Sequence, residues 1–142
     1  MTAARLDHVE RLVEPALAAG SWVLSDRFSD STRVYQGIAG GLGTKRIDDL
    51  HDLFLPGARP DLTLLLDLPV SAGLARRAKA GGGSRFEALD TAFHERVRAG
   101  FLELAGAEPG RFVVIDATEP AEAVAGRIEA TILARFADRL AG

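Results

Sequence analysis

The apolar positions of this chain change period several times, and each change marks an element. From Arg5 to Ala19, residues Leu6, Val9, Leu12, Val13, Ala16 and Leu17 recur at helical spacing, and Gly20 supplies a C-terminal stop. Pro15 lacks a backbone donor and crowds the turn before it, so a bend or one loosened turn is expected there. The run "WVLSD", beginning at Trp22, reads as a short strand; Ser29 to Ile38 reads as a polar turn entering a helix with Val34 and Ile38 on one face. Ile47, Leu50, Leu53 and Phe54 predict a second short helix, which runs into the breaker segment "LPGARP".

The second half is more regular. "DLTLLLDLP", Asp61 to Pro69, is a nearly continuous apolar run, the pattern of a central parallel strand covered on both faces. Ser71 is placed to cap a helix through Lys79, "GGGS" interrupts the chain, and a long helix follows with Phe86, Leu89, Phe93, Val97 and Leu104 on one face. "RFVVIDA" predicts a third buried strand, and Thr118 a cap for a closing helix with Val124, Ile128, Ile132 and Phe136 inward. Strand alternates with helix three times, which predicts an α/β fold with a parallel sheet and right-handed crossovers.

Composition narrows the chemistry. The 142 residues are 47% apolar and 26% charged, as expected of one ordinary domain. With no cysteine there is no disulfide framework and no thiolate site, and a reducing cytoplasm fits best. No stretch is long and apolar enough to span a bilayer, which predicts no membrane association. The net charge of −3 lacks the basic footprint of a duplex nucleic-acid binder, so any phosphate ligand is expected to be small and gripped by local arginines.

In an open parallel sheet, ligands gather beyond the carboxyl ends of the strands, and Asp26-Arg27 is predicted to lie at such an end. Arginine presents a planar fork of donors that matches phosphate bidentately, and Asp26 can orient it or hold a metal-bound water; taken alone, the pair also reads as a strand-end ion pair. Ser31, Thr32, Tyr35 and Gln36 add hydroxyl and amide groups able to read the edge of a heterocyclic base, although such clusters also make ordinary turns and caps. "IAGGLGTKR" looks like a phosphate loop at a glance. Its Thr44-Lys45 order is reversed from the G-x-x-x-x-G-K-[ST] pattern and it follows a helix, so it is rejected. Arg76, Arg77, Lys79 and Arg85 flank the glycines, either as a solvated basic face or as cations closing over a triphosphate. Glu87 and Asp90 read as helix-surface charges, and His8, His51 and His94 have no ligand spacing, so no metal site is expected from them.

Taken together, "HVERLVEPALAAGSWVLSDRFSDSTRVYQG", "RPDLTLLLDLPVSAGLARR", "SRFE", "FHERVRAGFLELA" and "FVVIDAT", in this order, resemble a bacterial thymidylate kinase across nearly the whole chain. The resemblance implies a three-layer, parallel-sheet P-loop kinase-like fold in a single domain, 1–142, with a lid at about 76–87. It implies transfer of the γ-phosphoryl group of ATP to dTMP with Mg2+, by a cytoplasmic homodimer. Carried over residue by residue, Arg27 would hold the acceptor phosphate with Asp26 beside it, while Thr32, Tyr35 and Gln36 would contact the nucleoside. Arg5 would reach the thymine edge, Arg76 would border ATP, and Arg85 would serve catalysis from the lid.

The departures from the family pattern carry expectations of their own. Gly40 stands where many relatives have arginine, Ser84 where the lid usually has aspartate, and Ala78 and Ala80 where some members have further arginines. The family's phosphate loop, with its lysine and magnesium-binding hydroxyl, would precede every segment quoted, as would a thymine-stacking phenylalanine. The fold is therefore expected to lack its N-terminal phosphate-loop strand, leaving two apolar strand edges unpaired, and the 142-residue chain is expected to transfer no phosphoryl group by itself. A non-catalytic remnant or binding module that retains the monophosphate pocket is the alternative, with another nucleoside monophosphate or deoxynucleoside kinase behind it.

Overall fold

A computed structural model describes residues 2–79 and 91–140, and only the helical backbone of residues 2–4. These residues fall into two compact units, Met1–Pro60 and Asp61–Gly142. The predicted Phe86, Leu89, Ser84 and Arg85 positions lie outside the described residues.

In the first unit, helix α1 runs through an α-helical Thr2–His8, a π-helical Val9–Val13 and an α-helical Glu14–Ala18. The widened stretch lies where Pro15 was expected to loosen a turn: the Glu14 amide reaches back five residues to the Val9 carbonyl. The helix stops at Gly20, which takes φ 77°, a conformation costly for a residue with a Cβ. There the Ser21 amide bonds the Ala16 carbonyl at 2.9 Å and the Gly20 amide the Leu17 carbonyl at 2.9 Å, the paired bonds of a Schellman stop.

Trp22 to Ser25 form no strand, contrary to expectation. A strand exists only through a ladder partner, and none of the described residues supplies one here; Leu24 is 97% exposed. Helix α2 follows, α-helical over Ser29–Thr32 and π-helical over Arg33–Ile38, and helix α3 spans Thr44–Phe54. Val9 of α1, Val34 of α2, Ile47 of α3 and Leu55 form the buried apolar centre of this unit. Gly37 lets α2 and α3 approach closely, because a Cβ there would sit 3.3 Å from Thr44 Cα.

The second unit contains the α/β part. Strands β1, Thr63–Asp67, and β2, Phe112–Asp116, pair in parallel in register from Thr63 opposite Phe112 to Asp67 opposite Asp116. Helices α4, Val70–Lys79, and α5, Thr91–Ala107, connect them, and α6, Ala121–Arg135, and α7, Ala137–Leu140, close the chain. Phe112 and Ile115 of β2 are buried, as are Val97, Leu104 and Ala105 of α5. β1 was expected to be central, but β2 is its one neighbour among the described residues, and Leu66 stays 50% exposed. A parallel strand is covered fully only when both its edges and both its faces are occupied.

Two expected helix caps are also replaced. α4 begins one residue before Ser71, and the Pro69 carbonyl accepts the amides of Ala72 and Gly73, each at 3.0 Å. Pro120 precedes α6 in the same way, while Thr118 gives its amide and hydroxyl to Asp116 Oδ1 at 2.8 and 2.6 Å. Each proline carbonyl thus accepts the first bonded amides of its helix, those of Ala72 and Gly73 and those of Ala123 and Val124. The predicted inward face of α6 does hold, since Val124, Ile128 and Ile132 are among its less exposed positions.

At the end of β1, Arg98 Nε and Nη2 donate to the two Asp67 carboxylate oxygens at 2.8 Å each, tying α5 to the strand. These bonds hold the Asp67 carboxyl below its ordinary pKa. A depressed carboxyl contributes stability above its unfolded pKa of about 4 and loses it as pH falls through the folded value. Arg98→Gln should therefore be less stable than the parent in urea at pH 7, and the gap should shrink as pH falls below about 4. A gap independent of pH would show that the ion pair contributes nothing.

Candidate functional site

The predicted site residues of the first unit gather around the start of α2. The chain leaves an irregular stretch and bends at Arg27, the one described non-glycine residue with positive φ, at 66°. The left-handed region costs an L-residue roughly 1–2 kcal/mol, and such outliers persist where the surroundings fix them. Ser25 Oγ braces the bend by donating to the Arg27 carbonyl at 3.1 Å.

The Arg27 side chain then lies along one face of α2. Its Nε donates to Ser31 Oγ at 3.1 Å, and its guanidinium carbon lies 4.5 Å from the centre of the Tyr35 ring. Ser31 and Tyr35 stand four and eight residues beyond Arg27, so successive helical turns support one flat cation. Both terminal nitrogens of the fork remain without a partner among the described residues. Asp26, expected to orient Arg27, is exposed and pairs with no cation there. Ser31 and Tyr35 do the orienting. Sequence reasoning assigned Ser31 only to reading a base; its spacing from Arg27 was the signal for this role.

A second cation approaches the same helix from α1. Arg5 Nη2 donates to Thr32 Oγ1 at 3.0 Å and to the Phe28 carbonyl at 3.4 Å, and its guanidinium lies 5.3 Å from the centre of the Phe28 ring. Partial burial lowers the Arg5 pKa from its ordinary value without bringing an arginine near neutrality. One turn further on, Gln36 Oε1 is buried with no hydrogen-bond partner among the described residues, a costly state that a ligand N–H would relieve. Thr32, Tyr35 and Gln36 thus share one short stretch, and its π-helical part is a departure often seen at functional sites.

α2 is pinned from behind by charges that sequence reasoning did not single out. Arg33 Nη2 donates to Asp48 Oδ2 of α3 at 3.3 Å, and Arg33 Nε lies 2.8 Å from Oδ1, too oblique for a hydrogen bond but close enough for strong attraction. Asp30, itself buried, is 3.6 Å from the same guanidinium. No periodicity signals a pair 15 residues apart. Gly40, where relatives were expected to have arginine, has no room for any side chain: a Cβ would lie 2.8 Å from the carbonyl oxygens of Tyr35 and Gln36. Lys45 of the rejected phosphate-loop look-alike pairs with Asp49, one turn along α3.

The remaining predicted residues belong elsewhere. Arg76, on α4 of the second unit, is exposed and donates from Nη2 to the Thr118 carbonyl at 3.3 Å. That contact places it beside the loop that follows β2. Arg85 lies outside the described residues. Among the described residues no group of three or more His, Asp or Glu side chains could hold a metal ion, and no helix is long and apolar enough to cross a membrane.

The family model of thymidylate kinase matches residues 1–128. The chain is 50% identical over 136 residues to a thymidylate kinase of Caulobacter vibrioides, covering 96% of this chain and 65% of that protein. It is 52% identical over 135 residues to one of Desulfosudis oleivorans, covering 90% of this chain and 63% of the relative. With a thymidylate kinase of Trichlorobacter lovleyi the identity is 48% over 141 residues, 95% of this chain and 66% of the relative. The chain thus spans about two thirds of the length of the curated relatives it matches.

The strained bend gives a test of this geometry. Arg27→Gly and Arg27→Ala both remove the fork, but only glycine takes φ 66° without penalty. Arg27→Gly should therefore be the more stable of the two by about 1 kcal/mol in urea unfolding. Equal stabilities, or the reverse order, would show that Arg27 is not left-handed in solution.

Proposed function

The chain belongs to the thymidylate kinase family, and from that premise we propose that it carries the dTMP-accepting part of an enzyme that transfers the γ-phosphoryl group of ATP to dTMP. In that reaction a dTMP phosphate oxygen attacks the γ-phosphorus, the bond to the bridging β-γ oxygen breaks, and dTDP and ADP leave. Little of the bond-making falls to the protein, so positioning and charge dominate.

The observation that carries this reading is the Arg27 fork, fixed by Ser31 and Tyr35 with its terminal nitrogens unpartnered among the described residues. Such a fork takes the acceptor phosphate bidentately and keeps it still while charge moves. Asp26 stands beside it, exposed to whatever binds there. Arg5 and Thr32 face the thymine edge, Tyr35 flanks the nucleoside, and Gln36 Oε1 accepts an N–H from the base, which would satisfy its buried oxygen.

On the donor side we assign Arg76, together with Arg85 from the lid at about 76–87, to neutralising ATP phosphates. The Mg2+ that accompanies ATP would offset phosphate charge. The described residues hold no cluster fit to bind it, so no step is assigned to protein ligands of the metal. We further read 1–142 as a single functional domain of a cytoplasmic homodimer acting on small nucleotides rather than nucleic acid. The exposed Leu50, Leu53 and Phe54 of α3 support a partner surface.

Calorimetric titration of dTMP and of thymidine into the purified chain tests this assignment. Arg27→Ala should weaken dTMP binding by roughly 10- to 100-fold, the worth of a charge-assisted contact, and leave thymidine affinity nearly unchanged. Arg27→Lys should recover only part of the loss, because an ammonium is a point charge rather than a fork. Equal losses for both ligands would remove Arg27 from the phosphate. In a full-length relative, a coupled assay should show turnover reduced at least ~100-fold by Arg27→Ala.

A further inference from the structure

His51 of α3 was set aside in sequence as a histidine without ligand spacing, and the structure buries it to 6% exposure. Its Nε2 donates to the Ala58 carbonyl at 3.0 Å, so the ring cannot turn freely. The ring meets Phe28 edge to face, with centres 6.4 Å apart and planes at 85°. Phe28 in turn lies under the Arg5 guanidinium, and Arg5 donates both to the Phe28 carbonyl and to Thr32 Oγ1. A contiguous chain of contacts thus leads from His51 through Phe28 to Arg5 and Thr32.

We infer that His51 is a positioning residue for the Arg5 and Thr32 pair, and that its neutral ring is the form that keeps Phe28 and Arg5 seated. The inference rests on the reading that Arg5 and Thr32 face the base. A protonated ring places a second positive charge in the cluster that already holds Arg5, and the two cations repel. The charged groups acting on His51 are Arg59 and Arg5, which oppose its protonation, and Asp52, which favours it. Asp52 is itself paired with Arg59 at 2.9 Å. Burial is the largest influence; the bond to Ala58 opposes it, and the His51 pKa lies below its ordinary value.

The sign follows from that direction. The seated arrangement persists above about pH 6.5 and is lost as pH falls through the lowered pKa. Loss of the seat weakens reading of the base without touching the phosphate grip of Arg27. The pH dependence therefore belongs to recognition of the base, and a pyrimidine nucleoside lacking phosphate reports it alone.

NMR titration of the full chain between pH 8 and pH 5, with and without thymidine, tests the inference. Thymidine is the probe because it carries no phosphate to titrate in this range. As His51 protonates, the Phe28 ring and Thr32 side-chain signals should move with its midpoint, and thymidine should bind ~5-fold or more weakly at pH 5 than at pH 7.5, the low end of ordinary site coupling. By reciprocity, saturating thymidine should lower the His51 midpoint further. His51→Gln keeps a donor for Ala58 without a titrating ring, and should flatten the pH dependence of thymidine affinity to within ~2-fold. Phe28 and Thr32 signals that stay still while His51 titrates would overturn the inference, as would an unchanged pH dependence in His51→Gln. If thymidine bound at no pH, the base-site assignment would fall, and the Phe28 and Thr32 signals, which need neither ligand nor substitution, would still decide the role of His51.

Discussion

A flat, permanently charged group is held still at a bend where the chain leaves an irregular stretch and enters a helix. Most features of the first unit follow from that constraint. The bend places Arg27 in the left-handed region, which a side chain occupies only under compulsion. Ser25 braces its carbonyl, and Ser31 and Tyr35 seat its guanidinium on α2. A guanidinium held in advance costs less ordering entropy than a free one when it engages a partner.

A seat of this kind requires a helix that does not move. α2 is short, and neither of its parts would be stable alone. Its stability comes from the burial of Val34, from the close approach at Gly37, and from Arg33 reaching Asp48 of α3. His51 extends the same support under Phe28. The polar cluster around Arg27 and the apolar core are thus one construction here.

The second unit uses its chemistry differently. Both strands end in aspartate, in register, and the two carboxylates serve separate ends. Asp67 binds α5 through Arg98, whereas Asp116 shapes the following turn through Thr118, whose carbonyl receives Arg76. Each carboxyl is held below its ordinary pKa by those hydrogen bonds, Asp67 by Arg98 and Asp116 by Thr118. Ligand-competent loops at the carboxyl ends of parallel strands are built from local contacts of this sort.

Much of this was legible in sequence, because periodicity, proline and glycine act locally. The loosened turn ahead of Pro15, the stop at Gly20, the helix bearing Ile47, the strands within "DLTLLLDLP" and "RFVVIDA" and the less exposed face of α6 all appear where neighbouring residues require them. Spacing and resemblance picked out Arg5, Arg27, Thr32, Tyr35 and Gln36, and the fold brings Arg5 to Thr32 and Arg27 to Tyr35. What depended on partners could not be read in this way. "WVLSD" has the composition of a strand but lacks a described ladder partner, and Ser71 and Thr118 have the chemistry of caps but lie beside prolines whose carbonyls accept the helix amides first. The replacement of Asp26 by Ser31 and Tyr35 as the support of Arg27, the Arg33 to Asp48 pair and the burial of His51 under Phe28 were decided only by tertiary structure. A residue's type sets which interactions it can make; which of them it makes depends on what the folded chain brings within about 3 to 6 Å, and residues 15 to 23 positions apart meet there without any local signal.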